Sequence, residues 1–399
     1  MNTTTLMDRA PATTMSIPFD AARLDGLMEE AGIDVLLVTS KHNVQYLLGG
    51  YRFFFFDYMD AVGTSRYLPV LLYRRGRPED AAYIGYRLEA YEGELGKFWT
   101  PTVKTSTTGT TDAIALAVEH LGRLGGGIKR VGVETSFLPA DADAALRQAL
   151  PECEIVDAHF PLERLRAKKT TAELRLLREA SERVVASMLA VFESCAPGVS
   201  KAELVERLRC EEVGRGLTFE YCLITAGTSL NRAPSDQRLE PGDIVSLDSG
   251  GNYRGYIGDL CRMGILGQPD SELQDLLADV DAIQQEARKP IRRGARGSDI
   301  FVATEKLINT SPHRGYLEFV AHGMGLISHE APRLATSRAY SGYDADRPLL
   351  SGMVVSIETT MKHPRRGFIK LEDTVTVTED GFEAFGDTGR GWNRAGQPA

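Results

Sequence analysis

One segment constrains this chain more than any other: GDIVSLDSGGNYRGYIGDLCRMGIL, residues 242–266. Two β-rich runs flank the turn-forming stretch Gly251-Asn-Tyr-Arg-Gly255, which predicts a β-hairpin. A turn centred between Tyr253 and Arg254 sets Asp248 directly opposite Asp259 on one face, with Cβ atoms about 5 Å apart. Two facing carboxylates in an apolar, strand-rich setting repel one another, so one holds a proton or a cation lies between them. Spacing alone is equally compatible with another register in which both acids are solvated.

A second acid pair repeats the pattern. Val354 to Glu358 reads as a strand, His363 to Gly367 as a turn and Phe368 to Val377 as a strand. A turn centred on Arg365 sets Glu358 opposite Glu372. Two independent hairpins that each present an opposed acid pair favour a common purpose over accident. Four gathered carboxylates need compensating charge, which a pair of divalent ions supplies. Oxygen donors suit Mn, Mg, Co or Fe, and a histidine ligand admits Zn. The best histidine lies in Phe319-Val-Ala-His322-Gly-Met-Gly-Leu-Ile-Ser-His329-Glu-Ala-Pro332. His322 ends a strand-like run and is followed by glycines that permit close approach. His322 and His329 are two of seven histidines in the chain.

Composition narrows the surroundings. A chain of 399 residues exceeds one ordinary core, so two domains are expected. With 43% hydrophobic and 25% charged residues it is a normal globular chain, and its net charge of −9 argues against a nucleic-acid partner. The five cysteines, Cys153, Cys195, Cys210, Cys222 and Cys261, are scattered without a CxxC pair and read as reduced thiols, with a cytoplasmic location. The Thr-rich opening carries no signal-peptide pattern and is expected to fray. The apolar run Phe53 to Phe56 is far too short to span a membrane.

Along the chain, a helix from about Asp20 to Ala31 precedes a strand near 34–39. Alternating elements continue at 67–73, 81–84, 113–124 and 130–134, which predicts an α/β domain. Arg164 to Thr170 reads as a basic linker. Thr170-x-x-Glu173 and Ser200-x-x-Glu203 are capping-box patterns that open two helices. Strands and hairpins follow residue 220, broken by helices near 271–288 and 298–309. Gly125 to Gly127 follow a helix and precede a strand, the wrong order for a dinucleotide loop, and read as a helix cap. His42, His120, His159, His313 and His363 show no partner pattern, and Arg292 to Arg296 reads as a solvated loop.

The Asp-x10-Asp pair, the HGxGxxxHExP segment, the Ile-Glu element and the Leu-Glu-Asp-Thr-Val element, taken in order, resemble the M24 metallopeptidases. This pita-bread family includes methionine aminopeptidase, aminopeptidase P, prolidase and creatinase. The resemblance implies a creatinase-like N-terminal α/β domain over residues 1–165 and an α+β pita-bread catalytic domain over 166–399. It assigns Asp248, Asp259, His322, Glu358 and Glu372 as metal ligands, with Asp259 and Glu372 bridging two divalent ions, Mn, Co, Zn or Fe. It also makes Glu358 the acceptor of a water proton. His329 becomes the residue that bonds substrate and stabilises the tetrahedral intermediate.

The implied activity is hydrolysis of a dipeptide or a short N-terminal peptide bond, as by an Xaa-Pro dipeptidase or aminopeptidase, in a soluble homodimer. Hydrolysis of a non-peptide C–N bond, as in creatinase or ectoine hydrolase, and a non-catalytic binding protein are the rival expectations. The sequence departs from the family in three places. No histidine stands in Thr225 to Glu240, Lys370 replaces the familiar arginine, and Thr359 replaces the proline after Glu358. These departures point to altered substrate contacts. Arg52, Phe53 to Phe56 and Tyr58 read equally as a specificity loop reaching a neighbouring subunit or as a buried interface patch.

Overall fold

The computed structural model describes residues 16–58, 67–334 and 344–395. The chain divides into two compact units, Met1–Leu165 and Arg166–Ala399. The Thr-rich opening segment lies outside the described residues except for its end, as does the side chain of Phe56.

The first unit holds a six-stranded mixed sheet. Its strands are β1 (Val35–Val38), β2 (Val70–Arg74), β3 (Arg77–Tyr86), β4 (Thr102–Thr107), β5 (Arg130–Val133) and β6 (Glu154–Asp157), ordered β4-β3-β2-β1-β5-β6. Every residue of Val35-Leu-Leu-Val38 is buried because both faces of the sheet are covered. Side-chain alternation assigns Leu36 and Val38 to one core and Val35 and Leu37 to the other. Helices α1 (Ala21–Glu30) and α2 (Lys41–Leu47) close the first core with Leu24, Met28, Val44 and Leu47. Helices α3 (Thr110–Arg123) and α4 (Ala140–Ala149) close the second with Ala113, Ile114, Ala117 and Leu146. Gly125, at φ +76°, follows α3 as the expected cap. In the aromatic run, Phe54–Tyr58 forms a 3-10 turn with Phe54 and Tyr58 exposed, while Phe53 is buried.

The basic stretch read as a linker is not one. Helix α5 spans His159–Ala167. Arg166 and Lys169 are both buried, on opposite oxygens of Glu330 at 3.0 and 2.9 Å. A fully buried carboxylate needs paired cations, and these two residues meet that need instead of facing water.

The second unit opens with α6 (Thr171–Glu193) and α7 (Lys201–Gly214), each started by a reciprocal capping box, Thr170 with Glu173 and Ser200 with Glu203. Its eight-stranded sheet comprises β7 (Thr218–Ala226), β8 (Ile244–Tyr253), β9 (Tyr256–Ile265), β10 (Leu317–Gly323), β11 (Val354–His363), β12 (Gly367–Val377), β13 (Phe382–Phe385) and β14 (Asn393–Arg394). The main path runs β10-β11-β12-β9-β8-β7, with β13 on β12 and β14 on β9. Val184, Val185 and Met188 of α6 pack with Leu208 of α7 on Val245, Leu247 and Leu260. Helix α8 (Ser271–Arg288) packs Leu276, Leu277 and Val280 on Met361, Ile369 and Leu371; α9 (Asp299–Thr310) follows it. Among the described residues no helix is long and apolar enough to cross a membrane.

The two hairpins differ in how they set register. In the second, Glu358 is directly opposite Glu372 and His363 opposite Gly367, as the spacing predicts. In the first, Tyr253 pairs with Tyr256, leaving Arg254 and Gly255 as a two-residue turn with φ of 53° and 98°. A tight hairpin turn needs positive φ at both positions, and Gly255 supplies the less tolerant one. The turn therefore sits one residue later than expected. Asp248 pairs with Cys261 and Asp259 with Gly250, so the acids are diagonal neighbours, not directly opposed. A two-residue slip keeps both on the same face, where a one-residue slip would have separated them.

Candidate metal centre

The five predicted ligands come from five consecutive strands. His322 ends β10, Glu358 lies on β11, Glu372 on β12, Asp259 on β9 and Asp248 on β8. Alternation along β12 turns Ile369 and Leu371 into the core beneath α8, which leaves Lys370 and Glu372 on the other face. Asp248, Asp259, His322 and Glu372 are buried; Glu358 keeps the most exposed side chain of its ion-paired neighbours, at 14% against 4% for Asp248 and 2% for Glu372.

His322 Nε2 lies 3.3 Å from Glu358 Oε1 and 3.9 Å from Glu372 Oε1, while its Nδ1 faces the Gly323 carbonyl at 3.2 Å. That Nε2 is buried without a well-formed hydrogen bond. Ser356 Oγ donates to Glu372 Oε1 at 2.8 Å. Three overlapping donor sets have their ligand atoms within 4.8 Å of one another: His322, Glu358 and Glu372; Asp248, Asp259 and Glu372; and Asp259, His322 and His329. A carboxylate-rich set with imidazole and an unsatisfied ring nitrogen fits a divalent ion by donor chemistry.

His329 reaches the site through a folded-back loop. Gly323 N donates to the Pro332 carbonyl, and Glu330 N donates to the Gly323 carbonyl, each at 2.9 Å. A Cβ on Gly323 would fall 2.2 Å from Pro332 N, so only glycine admits this approach. The Arg166 and Lys169 pairs anchor Glu330, and the His329 ring then stacks on His322 at 3.7 Å between centroids.

Two cations also enter the cluster. Lys370 Nζ lies 2.6 Å from Asp248 Oδ2, 2.6 Å from Glu358 Oε2 and 2.7 Å from Glu372 Oε2. The Arg232 guanidinium pairs with the same Asp248 Oδ2 and lies over the Phe368 ring. Arg232 was not singled out from sequence; the available signal was the absent histidine in the stretch that contains it. Tyr221 was also missed. Its phenol hydrogen-bonds Asp259, and Gly250 leaves room for its ring, since a Cβ there would fall 2.5 Å from it.

Of the three departures, Thr359 does not face this cluster. It lies on the opposite face of β11 from Glu358 and donates to Gln284 Oε1 at 2.9 Å, while Gln284 bonds Asp373. The expectation that it alters substrate contacts is corrected: it ties the sheet to α8. His42, His120, His159, His313 and His363 take no part in the donor sets; His120 bonds the Asp80 carbonyl, and His363 accepts from Arg366 N in its own turn.

Electrostatics follow from this crowding. Burial, then the Glu372 and Asp248 charges, pushes the Asp259 carboxyl well above its usual range. Burial and the adjacent Glu358 raise Glu372 to about 7. Burial acts the same way on Glu358, but the adjacent His322 imidazole and the Lys370 ammonium hold it far below the ordinary carboxylate range. Burial opposes charge on Lys370, and the Asp248, Glu372 and Glu358 carboxylates outweigh it, keeping the ammonium protonated. His329 is lowered to about 4 by desolvation and then by the neighbouring His322, although the residue as a whole is exposed.

The chain matches metallopeptidase family M24 over residues 175–379 and the creatinase/prolidase N-terminal domain over residues 21–168. It is 24% identical over 375 residues to the Xaa-Pro dipeptidase of Pyrococcus horikoshii, covering 91% of this chain and 95% of that protein. It is 30% identical over 263 residues to the probable dipeptidase PepE of Mycobacterium tuberculosis H37Rv, covering 64% and 68%. Among solved structures, the Xaa-Pro dipeptidase from Bacillus anthracis aligns with a TM-score of 0.78 at 25% identity, over 94% of this chain and 98% of that one. With the M24 match spanning just over half of its residues, this chain belongs to metallopeptidase family M24, an enzyme of the metal-dependent peptidase class with a creatinase-type N-terminal domain and a pita-bread catalytic domain.

Proposed function

We propose that the protein hydrolyses short peptides, Xaa-Pro dipeptides first, using divalent metal held by Asp248, Asp259, His322, Glu358 and Glu372. The observation that carries this reading is the convergence of those side chains from five adjacent strands onto one buried face. When bound, the metal supplies Lewis acidity that makes water nucleophilic near neutral pH and polarises a carbonyl.

The chain's own residues divide the remaining work. Glu358 is the carboxylate of the cluster with an edge open to solvent, so it is placed to accept the proton of an incoming water. His329, with its basicity lowered to about 4, is neutral at pH 7 and donates an N–H to the developing oxyanion without adding charge. Gly323 and the anchored Glu330 fix the loop that carries it. Tyr221 and Ser356 bond Asp259 and Glu372, holding those carboxylates in place. The same reading carries a homodimer in a reducing, cytoplasmic setting, in keeping with five unpaired cysteines.

Arg232 supports a second reading. A guanidinium stands on Asp248, in the stretch where the resembled peptidases carry a histidine, and favours a substrate other than a prolyl peptide, with a non-peptide C–N bond. A turnover screen in Mn or Co, comparing Xaa-Pro dipeptides, longer peptides, and cyclic or guanidino amides, separates the two. Preference for Xaa-Pro dipeptides supports the first reading; turnover of amides alone rejects it.

A further inference from the structure

Between β9 and β12 the sheet is nearly open. Among the described residues these two strands share a single ladder pair, Glu372 with Cys261, whereas the hairpins on either side, β8–β9 and β11–β12, pair along their length. One end of the seam is taken by β14, which pairs with Gly264 and Ile265, and the other by β13, which pairs with Thr374 to Val377.

This seam divides the metal donors. His322, Glu358 and Glu372 stand on β10, β11 and β12, while Asp248 and Asp259 stand on β8 and β9. The His322–Glu358–Glu372 set is therefore assembled within one half of the sheet. The Asp248–Asp259–Glu372 set spans the seam.

Arg262 closes the seam from the opposite face. Cys261 pairs with Asp248 and Glu372 on the metal face, so alternation turns Arg262 away from it. Arg262 is fully buried. Its Nη1 donates to the carbonyls of Cys261 and Glu372, both at 2.8 Å, which are the two residues of the lone ladder pair. Nε donates to the Thr388 carbonyl at 2.6 Å and Nη2 to the Gly386 carbonyl at 2.8 Å. Nη2 also lies 3.1 Å from Asp373 Oδ1, a carboxylate shared with Arg288 and Arg390. One rigid, planar guanidinium thus bonds the main chain of both strands, and the 386–388 segment fixes its orientation. Lys370 crosses the same seam through the donor carboxylates themselves; Arg262 bonds Glu372 at its carbonyl.

We propose that Arg262 is a positioning residue that sets the width of the seam, and so the placement of Glu372 against Asp259 in the seam-spanning donor set. Ligand atoms must stand within a few tenths of an ångström of their working distances, so a small widening acts on this set and spares the one built within a single half. The inference rests on the proposed metal centre in its two-ion form.

The test is metal binding, independent of turnover. Full-length protein is stripped with chelator and titrated with Mn2+, with free ion followed by spin resonance. Arg262→Lys keeps a cation for Asp373 but lacks the planar fork. Wild type is expected to bind two ions per chain. The variant is expected to keep one at wild-type affinity and to hold the other about 10- to 100-fold more weakly, the usual effect of losing a group that orients a ligand. Equal weakening of both ions, as general loosening would give, overturns the positioning role, and so does no weakening of either. A single ion in the wild type overturns it as well, while no ion in the wild type overturns the metal centre itself. Hydrogen exchange in stripped wild type decides the matter even if the variant does not fold. Amides 260–262 and 371–373 are expected to exchange as slowly as the β8–β9 ladder before any metal is added. Fast exchange there that slows only with Mn2+ would make the metal, not Arg262, the agent that closes the seam.

Discussion

Lys370 Nζ stands 2.6 Å from Asp248 Oδ2 across the intervening strand β9, joining β12 to β8 through side chains alone. This contact makes Lys370 part of the cluster's stability as well as of its chemistry. In the metal-free protein, Lys370→Met leaves Asp248, Glu358 and Glu372 without their shared cation. Loss of one partner from a buried ion pair costs about 3–5 kcal/mol. Thermal melts in chelator are expected to show a large drop in Tm for the variant, mostly recovered on adding Mn2+. Equal melts of variant and wild type in chelator would contradict the pairing.

Glu358→Gln removes the proton acceptor while keeping the side chain's size, and exchanges one accepting oxygen for an N–H donor beside Lys370 or His322. Turnover is expected to fall about 100- to 10,000-fold, the usual range for a lost general base, with the circular-dichroism spectrum unchanged. Full residual turnover would exclude Glu358 as the base.

His329→Ala is expected to lower kcat about 100-fold or more, comparable to loss of one oxyanion donor, with metal content preserved. Because the His329 basicity lies near 4, the wild-type rate is expected to show no limb near pH 6.5 that disappears in the variant. A His329-dependent limb there would mean the imidazole is charged in the working enzyme.

Glu372 gives the metal-free protein a pH dependence of definite sign. Its carboxyl titrates near 4.5 when unfolded and near 7 when folded, so between those values the folded state binds more protons. Stability from this group is therefore complete below about pH 4.5 and declines as pH rises toward 7. Glu358, shifted the other way, changes protonation only at much lower pH. Melts of stripped protein across this window are expected to show a decline that Glu372→Gln flattens. Mn2+ affinity should rise over the same interval, as the ligand loses its proton. An unchanged slope in the variant would assign the dependence elsewhere.

Much of this site is legible in the sequence. Period-two alternation and turn residues give the strands and the shared face of Asp248, Asp259, Glu358 and Glu372. The second hairpin's register follows from its spacing because Gly367, at φ +87°, closes a three-residue turn. The first was off by two residues because the choice between Tyr253–Arg254 and Arg254–Gly255 depends on which pair tolerates positive φ. Long-range pairs were not legible. Arg166 and Lys169 read as linker residues because their partner, Glu330, lies more than 160 residues away. Arg232 sits in a segment whose pattern only marks what it lacks. Thr359 reads as a substrate contact because its neighbour is a ligand, yet adjacent strand residues face opposite sides.

Chelation and reloading test the central claim, metal-dependent peptide hydrolysis at this five-strand centre, most directly. Hydrolysis of an Xaa-Pro dipeptide is followed in stripped protein before and after Mn2+ or Co2+ is added, with His322→Ala in parallel. The account predicts that stripping abolishes turnover, that reloading restores it in the wild type, and that His322→Ala recovers little. Turnover that survives stripping, or is restored equally in His322→Ala, would contradict it.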